Sequence, residues 1–257
     1  MPHAGDNRTL KHGCIVMASG AGVRFGGNKL MAELYGEPLV GHVVQATDSL
    51  FDRRVVVTRH ADVAALCETL GAQMVLHDEP CRNDTVRLGM EAMDGCDTVT
   101  FVQGDQPLIR PASIAALLRA AEHDAAAAAG RDAEGRDAAE DYGTERDAAE
   151  SDAAESGVDV AVGRDAAESG VVDVSRRPSA CIWRTSFDGM PGAPVLFPSW
   201  AFDELRSLPH GKGGGFVAKM HAEYVRTIEV SSEWELFDVD TRDDLQQLQA
   251  YVALCGM

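Results

Sequence analysis

The chain has 257 residues, enough for one substantial core, and 45% of them are hydrophobic. Its net charge of −18 argues against nucleic acid as a partner. No run of about 18 apolar residues is present to cross a membrane, the polar start lacks an apolar leader core, and the six scattered cysteines form no C-x-x-C pair, which suits a reducing cytoplasm.

Residues 1–12 read as a tail and 13–257 as one domain with an insertion. Cys14–Ala18 is an apolar strand, followed by a glycine-rich loop that carries Arg24 and Lys29. A helix is predicted from Pro38, at its first turn, to Leu50. Arg54–Thr58 is a second strand, Asp62–Leu70 a helix stopped by Gly71, and Ala72–Leu76 a third strand. Asp84 is placed to cap a helix over Thr85–Met93. Thr98–Val102 is a fourth strand, and a helix follows from Pro111 to about Glu122.

Much of the acidity lies between Asp124 and Asp173, where fifteen Asp and Glu face four Arg. There Arg-Asp-Ala-Ala-Glu recurs at 136–140, 146–150 and 164–168. Such a stretch has too few large apolar groups to repay its ordering entropy, so residues 125–172 read as a low-complexity, mostly disordered insertion with transient helix. Beyond it come short strands at Ala180–Arg184 and Val195–Phe197, then helices at Ser199–Leu208 and Gly215–His221. A strand Tyr224–Val230 and a helix Asp243–Leu254 close the chain. This alternation predicts an α/β fold, a mainly parallel sheet with helices on both faces in three layers. Ligands of such sheets sit at the carboxyl ends of the strands.

Three places carry candidate chemistry. In the first loop, Ala18, Ser19, Gly20 and Gly22 bring backbone N–H groups close to a phosphate, and Arg24 and Lys29 supply charge; a plain strand-to-helix turn is the alternative. The spacing matches neither the dinucleotide fingerprint nor a P-loop. Past the fourth strand, Gly104-Asp105 offers a carboxylate for Mg²⁺ on a triphosphate, against a turn-forming role. Asp238 and Asp240 could complete that metal site or cap the last helix. The helix start with Arg82, Asn83 and Thr85 offers donors to a base or phosphate, or is simply a capped surface helix. The histidines show no ligand spacing, with His210 set apart by its glycine-rich loop.

Met17 through Lys29, Gly36-Glu37-Pro38-Leu39-Val40, Gly104-Asp105-Gln106-Pro107-Leu108, Gly192 through Phe197 and Asp238-Val239-Asp240-Thr241 occur in that order. Together they resemble the signature of the molybdenum cofactor nucleotidylyltransferase-like (MobA-like) family. The resemblance implies a Rossmann-like nucleotidyltransferase fold and Mg²⁺-dependent transfer of a nucleoside monophosphate with release of pyrophosphate. It implies that Gly20, Arg24 and Lys29 bind triphosphate and that Asp105 holds the metal. The cytidylyl branch is the more similar, implying CTP and a small phosphorylated acceptor, molybdopterin, with a molybdoenzyme or its chaperone as a partner. The guanylyl branch and the methylerythritol-phosphate or sugar-phosphate transferases are alternatives. One departure is His210-Gly211-Lys212-Gly213-Gly214-Gly215, where that branch carries Gly-Asp-x-Gly-Ala-Arg.

Overall fold

The computed structural model describes residues 9–141 and 180–255, with side chains described as far as Ala127 in the long fourth helix. The strands are β1 (His12–Ala18), β2 (Glu33–Leu34), β3 (Glu37–Pro38), β4 (Arg53–Thr58), β5 (Gln73–Leu76), β6 (Thr98–Gln103), β7 (Ile182–Phe187), β8 (Met190–Pro198) and β9 (Val225–Glu229). The helices are α1 (Leu39–Ala46), α2 (Ala61–Thr69), α3 (Arg82–Glu91), α4 (Pro111–Asp141), α5 (Phe202–Arg206), α6 (Gly214–Met220) and α7 (Arg242–Cys255).

Seven strands form one sheet in the order β5-β4-β1-β6-β8-β7-β9, and β2 and β3 form a separate small hairpin. β1 lies parallel to both β4 and β6, with Val16 opposite Val56 on one side and Val102 on the other. Only β8 runs against its neighbours. Strands this apolar must be covered twice, and they are. Cys14, Val16 and Ala18 of β1 pack with Val40, Val43, Val63 and Ile114 from α1, α2 and α4. Ile15, on the opposite face, packs with Val86, Met90, Leu205 and Val217 from α3, α5 and α6. The three-layer α/β/α arrangement follows directly from that alternation.

Several elements depart from the sequence-based expectation. α1 starts only at Leu39, because Pro38 pairs with Glu33 in the small hairpin. α3 begins at Arg82 behind an extended Cys81, so Asp84 lies inside the first turn and is not the cap. The expected helix 199–208 divides into a 3-10 turn, Ser199–Ala201, and the short α5. β7 and β8 are longer than expected and form an antiparallel hairpin. His12 and Lys11 are not tail residues: His12 is buried in β1, and the Lys11 carbonyl accepts from Asp97 N.

The largest departure is α4, which continues past Glu122 to Asp141. The alanine-rich 125–129 and the first Asp-Ala-Glu units favour helix over the expected disorder. The rest of the expected insertion, 142–172, lies outside the described residues. α4 returns toward the amino ends of the strands, where Glu122 Oε1 lies 3.4 Å from His12 Nε2 and Asp124 Oδ2 accepts from Cys181 N at 2.6 Å. Among its described side chains, Ala121 is the last that is well buried.

Phe197 joins the layers on the α3 side: it is fully buried and meets Phe101 edge-on at 5.7 Å between ring centres. Phe197→Ala should cost about 3–5 kcal/mol of stability, read as a lower denaturation midpoint with an unchanged slope.

Candidate active site

Because β1, β4, β5 and β6 are parallel, the segments after them emerge on one edge of the sheet. Beyond β1 the chain order reverses, with β4 on one side and β6 on the other, so the loops there part and leave a crevice. A cleft of about 1000 Å³ opens at this point.

Its first wall is the loop after β1. Gly22 has φ +60°, and a Cβ there would stand 2.0 Å from the Gly27 carbonyl oxygen. The Gly22 carbonyl accepts from Phe25, Gly26 and Gly27, which ties the loop into a compact turn. By contrast, the amides of Gly20, Ala21, Gly22 and Val23 donate to no protein acceptor among the described residues. All four residues line the cleft. A run of unpaired N–H groups is an anion-binding feature.

Asn28 accepts from Leu30 N and so starts a 3-10 turn that places Lys29 at the cleft base, only 6% exposed. Its Nζ lies 2.6 Å from Asp105 Oδ2 and 2.7 Å from Asp240 Oδ1. Burial alone would weaken the amine's hold on its proton, but the two carboxylates outweigh it and the pKa is raised. Arg24 reaches the other Asp240 oxygen at 2.6 Å from an exposed position.

The opposing acids are positioned by the backbone. Val239 N donates to the Asp105 carbonyl at 3.0 Å, and the Val239 side chain is buried with Phe25, Leu34, Leu39 and Leu248. Burying that residue turns its neighbours Asp238 and Asp240 to the cleft, which both line. The Lys29 hydrogen bond holds the Asp240 carboxyl below its ordinary range. Asp238 goes the other way: partial desolvation, then the nearby Asp105 charge, push its carboxyl up to about 6. The helix cap is a different residue, since Thr241 Oγ1 accepts from Asp244 N while Asp244 Oδ2 accepts from Thr241 N.

Of the residues singled out in the sequence, Ser19, Gly20, Gly22, Arg24, Lys29, Arg82, Thr85, Asp105 and Asp240 line this one cleft. Ala18, Asn83 and Gly104 do not. Ala18 is buried and accepts from Thr58 through its carbonyl. The Gly104 amide is taken up by the Met17 carbonyl. Asn83 Oδ1 accepts from Gly211 N, bracing the glycine-rich loop instead, and His210 Nε2 in that loop lies 3.0 Å from Cys81 Sγ. The loop borders a second hollow of about 700 Å³, which shares Met17, Arg82 and Gln103 with the first.

The sequence reading missed Arg59, Gln106 and Arg184, which also line the cleft. Arg59 directly follows β4, at the carboxyl edge where ligands sit, and that position was a usable signal. Arg184 stands out in sequence only as a cation between Trp183 and Thr185 on a strand.

Residues 14–226 match the MobA-like NTP transferase domain, and the chain belongs to that family. It is 38% identical over 113 residues to the 3-deoxy-manno-octulosonate cytidylyltransferase of Anaeromyxobacter sp. strain Fw109-5, a match covering 42% of this chain and 46% of that protein. The chain thus spans less than half the length of this curated relative. The crystal structure of Rv0371c from Mycobacterium tuberculosis H37Rv is similar at TM-score 0.64 and 17% identity, over 94% of this chain and 99% of that one. A CMP:2-keto-3-deoxy-manno-octonic acid synthetase complexed with CTP is similar at TM-score 0.57 and 14% identity, over 96% and 99%. At these identities the structural likeness shows the fold.

Two outcomes test the site as built. Gly22→Ala should lower the melting temperature and nucleotide binding together, because the turn itself cannot accept a Cβ. Gly20→Ala, where a Cβ meets nothing within 4 Å, should leave the melting temperature alone and weaken only nucleotide binding, measured by calorimetry. The second test is the pH dependence of stability without divalent cations. Asp238 keeps its proton to about 6 when folded against 3.8 when unfolded, so its contribution is present below about pH 4 and lost as pH rises through about 6. Asp238→Asn should therefore match the parent near about pH 4 and exceed it in denaturation midpoint at about pH 7.5.

Proposed function

We propose that the chain is a Mg²⁺-dependent nucleotidyltransferase that moves CMP from CTP to a small phosphorylated acceptor, molybdopterin foremost, releasing pyrophosphate. One observation carries this reading: four loop amides with no protein acceptor among the described residues, two cations and three carboxylates line a single cleft, the cations in contact with Asp105 and Asp240. The amides of residues 20–23 would hold phosphate oxygens, with Arg24 and Lys29 balancing the charge that grows on the leaving pyrophosphate. An acceptor phosphate monoester is already ionised near neutral pH, so positioning and charge balance suffice and no general base is needed.

The acids suit the proposed metal. Asp105, Asp238 and Asp240 supply hard oxygen donors of the kind Mg²⁺ prefers. Among the described residues no three Asp, Glu, His or Cys side chains are grouped to hold a metal, so phosphates and water would have to supply further ligands. When bound, the ion neutralises charge on the phosphates. Until then Lys29 would bridge the Asp105 and Asp240 carboxylates.

CTP as donor is supported by the cytidylyltransferase named among the relatives, and molybdopterin by the resemblance to the molybdenum cofactor family. The same relative favours a second reading, with a sugar acid as acceptor. Incubating the protein with CTP or GTP and either molybdopterin or 3-deoxy-manno-octulosonate tests both. CTP with molybdopterin should release pyrophosphate and yield the cytosine dinucleotide. Preference for GTP, or turnover only with the sugar acid, would overturn the first reading. Lys29→Gln and Asp105→Asn should each lower turnover at least about a hundredfold, with circular dichroism confirming that the fold persists.

A further inference from the structure

Arg184 lies on β7, three strands from β1 in the order β1-β6-β8-β7, or about 14 Å across at the usual strand spacing. It lines the cleft on the side away from the glycine loop. Its Nε and Nη2 donate to the Gly192 carbonyl at 3.1 and 2.9 Å, which fixes the guanidinium plane. No carboxylate pairs with it among the described residues, although the group is half-buried. Desolvation lowers its pKa accordingly. A guanidinium removed from water without a counter-ion is costly and calls for an anion from elsewhere.

The same wall presents a second unmet group. Gln106 is 2% exposed and donates through Nε2 to the Leu236 carbonyl at 3.2 Å, while its Oε1 has no hydrogen-bond partner. Leu236 in turn packs against Gly192, where a Cβ would meet Leu236 Cδ1 at 2.8 Å. Gln106, Leu236, Gly192 and Arg184 therefore form one continuous wall of the cleft, with Arg184 as its anion-seeking end.

We infer that this surface is the subsite for the second substrate, with Arg184 taking its anionic group, a phosphate monoester or a carboxylate. The assignment rests on the transferase reading above. It separates the two substrates along the sheet: triphosphate on the glycine loop, the attacking molecule on the β7 side, and the Asp105 carboxylate between them.

The test uses the full chain with Arg184→Gln and Arg184→Lys. CTP affinity is read by calorimetry, and KM and kcat are read with molybdopterin and with 3-deoxy-manno-octulosonate. Arg184→Gln should raise the KM of the accepted substrate at least about tenfold and leave CTP affinity within about twofold, with partial recovery in Arg184→Lys. The acceptor whose KM moves tells phosphate from carboxylate. A fall in CTP affinity with unchanged acceptor KM would overturn the inference. So would an acceptor KM that responds to Lys212→Gln or Lys219→Gln in the second hollow and not to Arg184→Gln. If the parent protein turns over neither acceptor, the transferase reading fails on its own. Arg184 is then judged by binding of inorganic phosphate and acetate at saturating CTP: loss in Arg184→Gln sustains the anion site, and equal binding removes it.

Discussion

The amine of Lys29, shared between Asp105 and Asp240, is the contact on which the cleft depends. It joins the end of the first loop, the end of β6 and the segment before α7, with partners as far as 211 residues apart. None of these three charges is fully solvated, so each needs the others, and removing one would strand the rest in a poorly hydrated place. The backbone bond from Val239 to Asp105 and the burial of Val239 make the arrangement geometrically rigid as well. Electrostatics and packing thus reinforce one another at a single point.

The placement of that point follows from topology. A parallel sheet covered on both faces leaves only its strand ends open to ligands, and the reversal of order at β1 leaves one crevice among them. The glycine loop and Asp105 end up together because β1 and β6 are adjacent, although about 80 residues separate them in the chain. The antiparallel β8 and its partner β7 then extend the cleft sideways, giving room beyond a nucleotide. On the proposal made above, the hairpin would supply the surface for a second molecule and the parallel half of the sheet would serve the first.

The parts legible in the sequence were those with local signals. Apolar β-branched runs such as Val55-Val56-Val57 marked the core strands, and Gly71 marked the stop of α2. Gly22, Lys29 and Asp105 were legible because loop chemistry, charge and strand ends coincided. Asn83 and Gly104 lie off the cleft because a polar side chain or glycine beside a site has other uses: one braces a loop, the other lets two strand ends touch. Arg184 was illegible since its meaning depends on a missing counter-ion, which only three-dimensional neighbours disclose. The hairpin β2–β3 escaped because two-residue strands carry no periodicity.

The hydrogen bond from Cys181 to Asp124 has a corollary for chain length. It fastens the body of the fold shut across a span of 57 residues, at the amino ends of the strands and opposite the cleft. Doubling the length of chain hung on such a clasp costs only about 0.6 kcal/mol of closure entropy. Adding or removing copies of the Arg-Asp-Ala-Ala-Glu unit between these two anchors is therefore expected to change the cost of closure little.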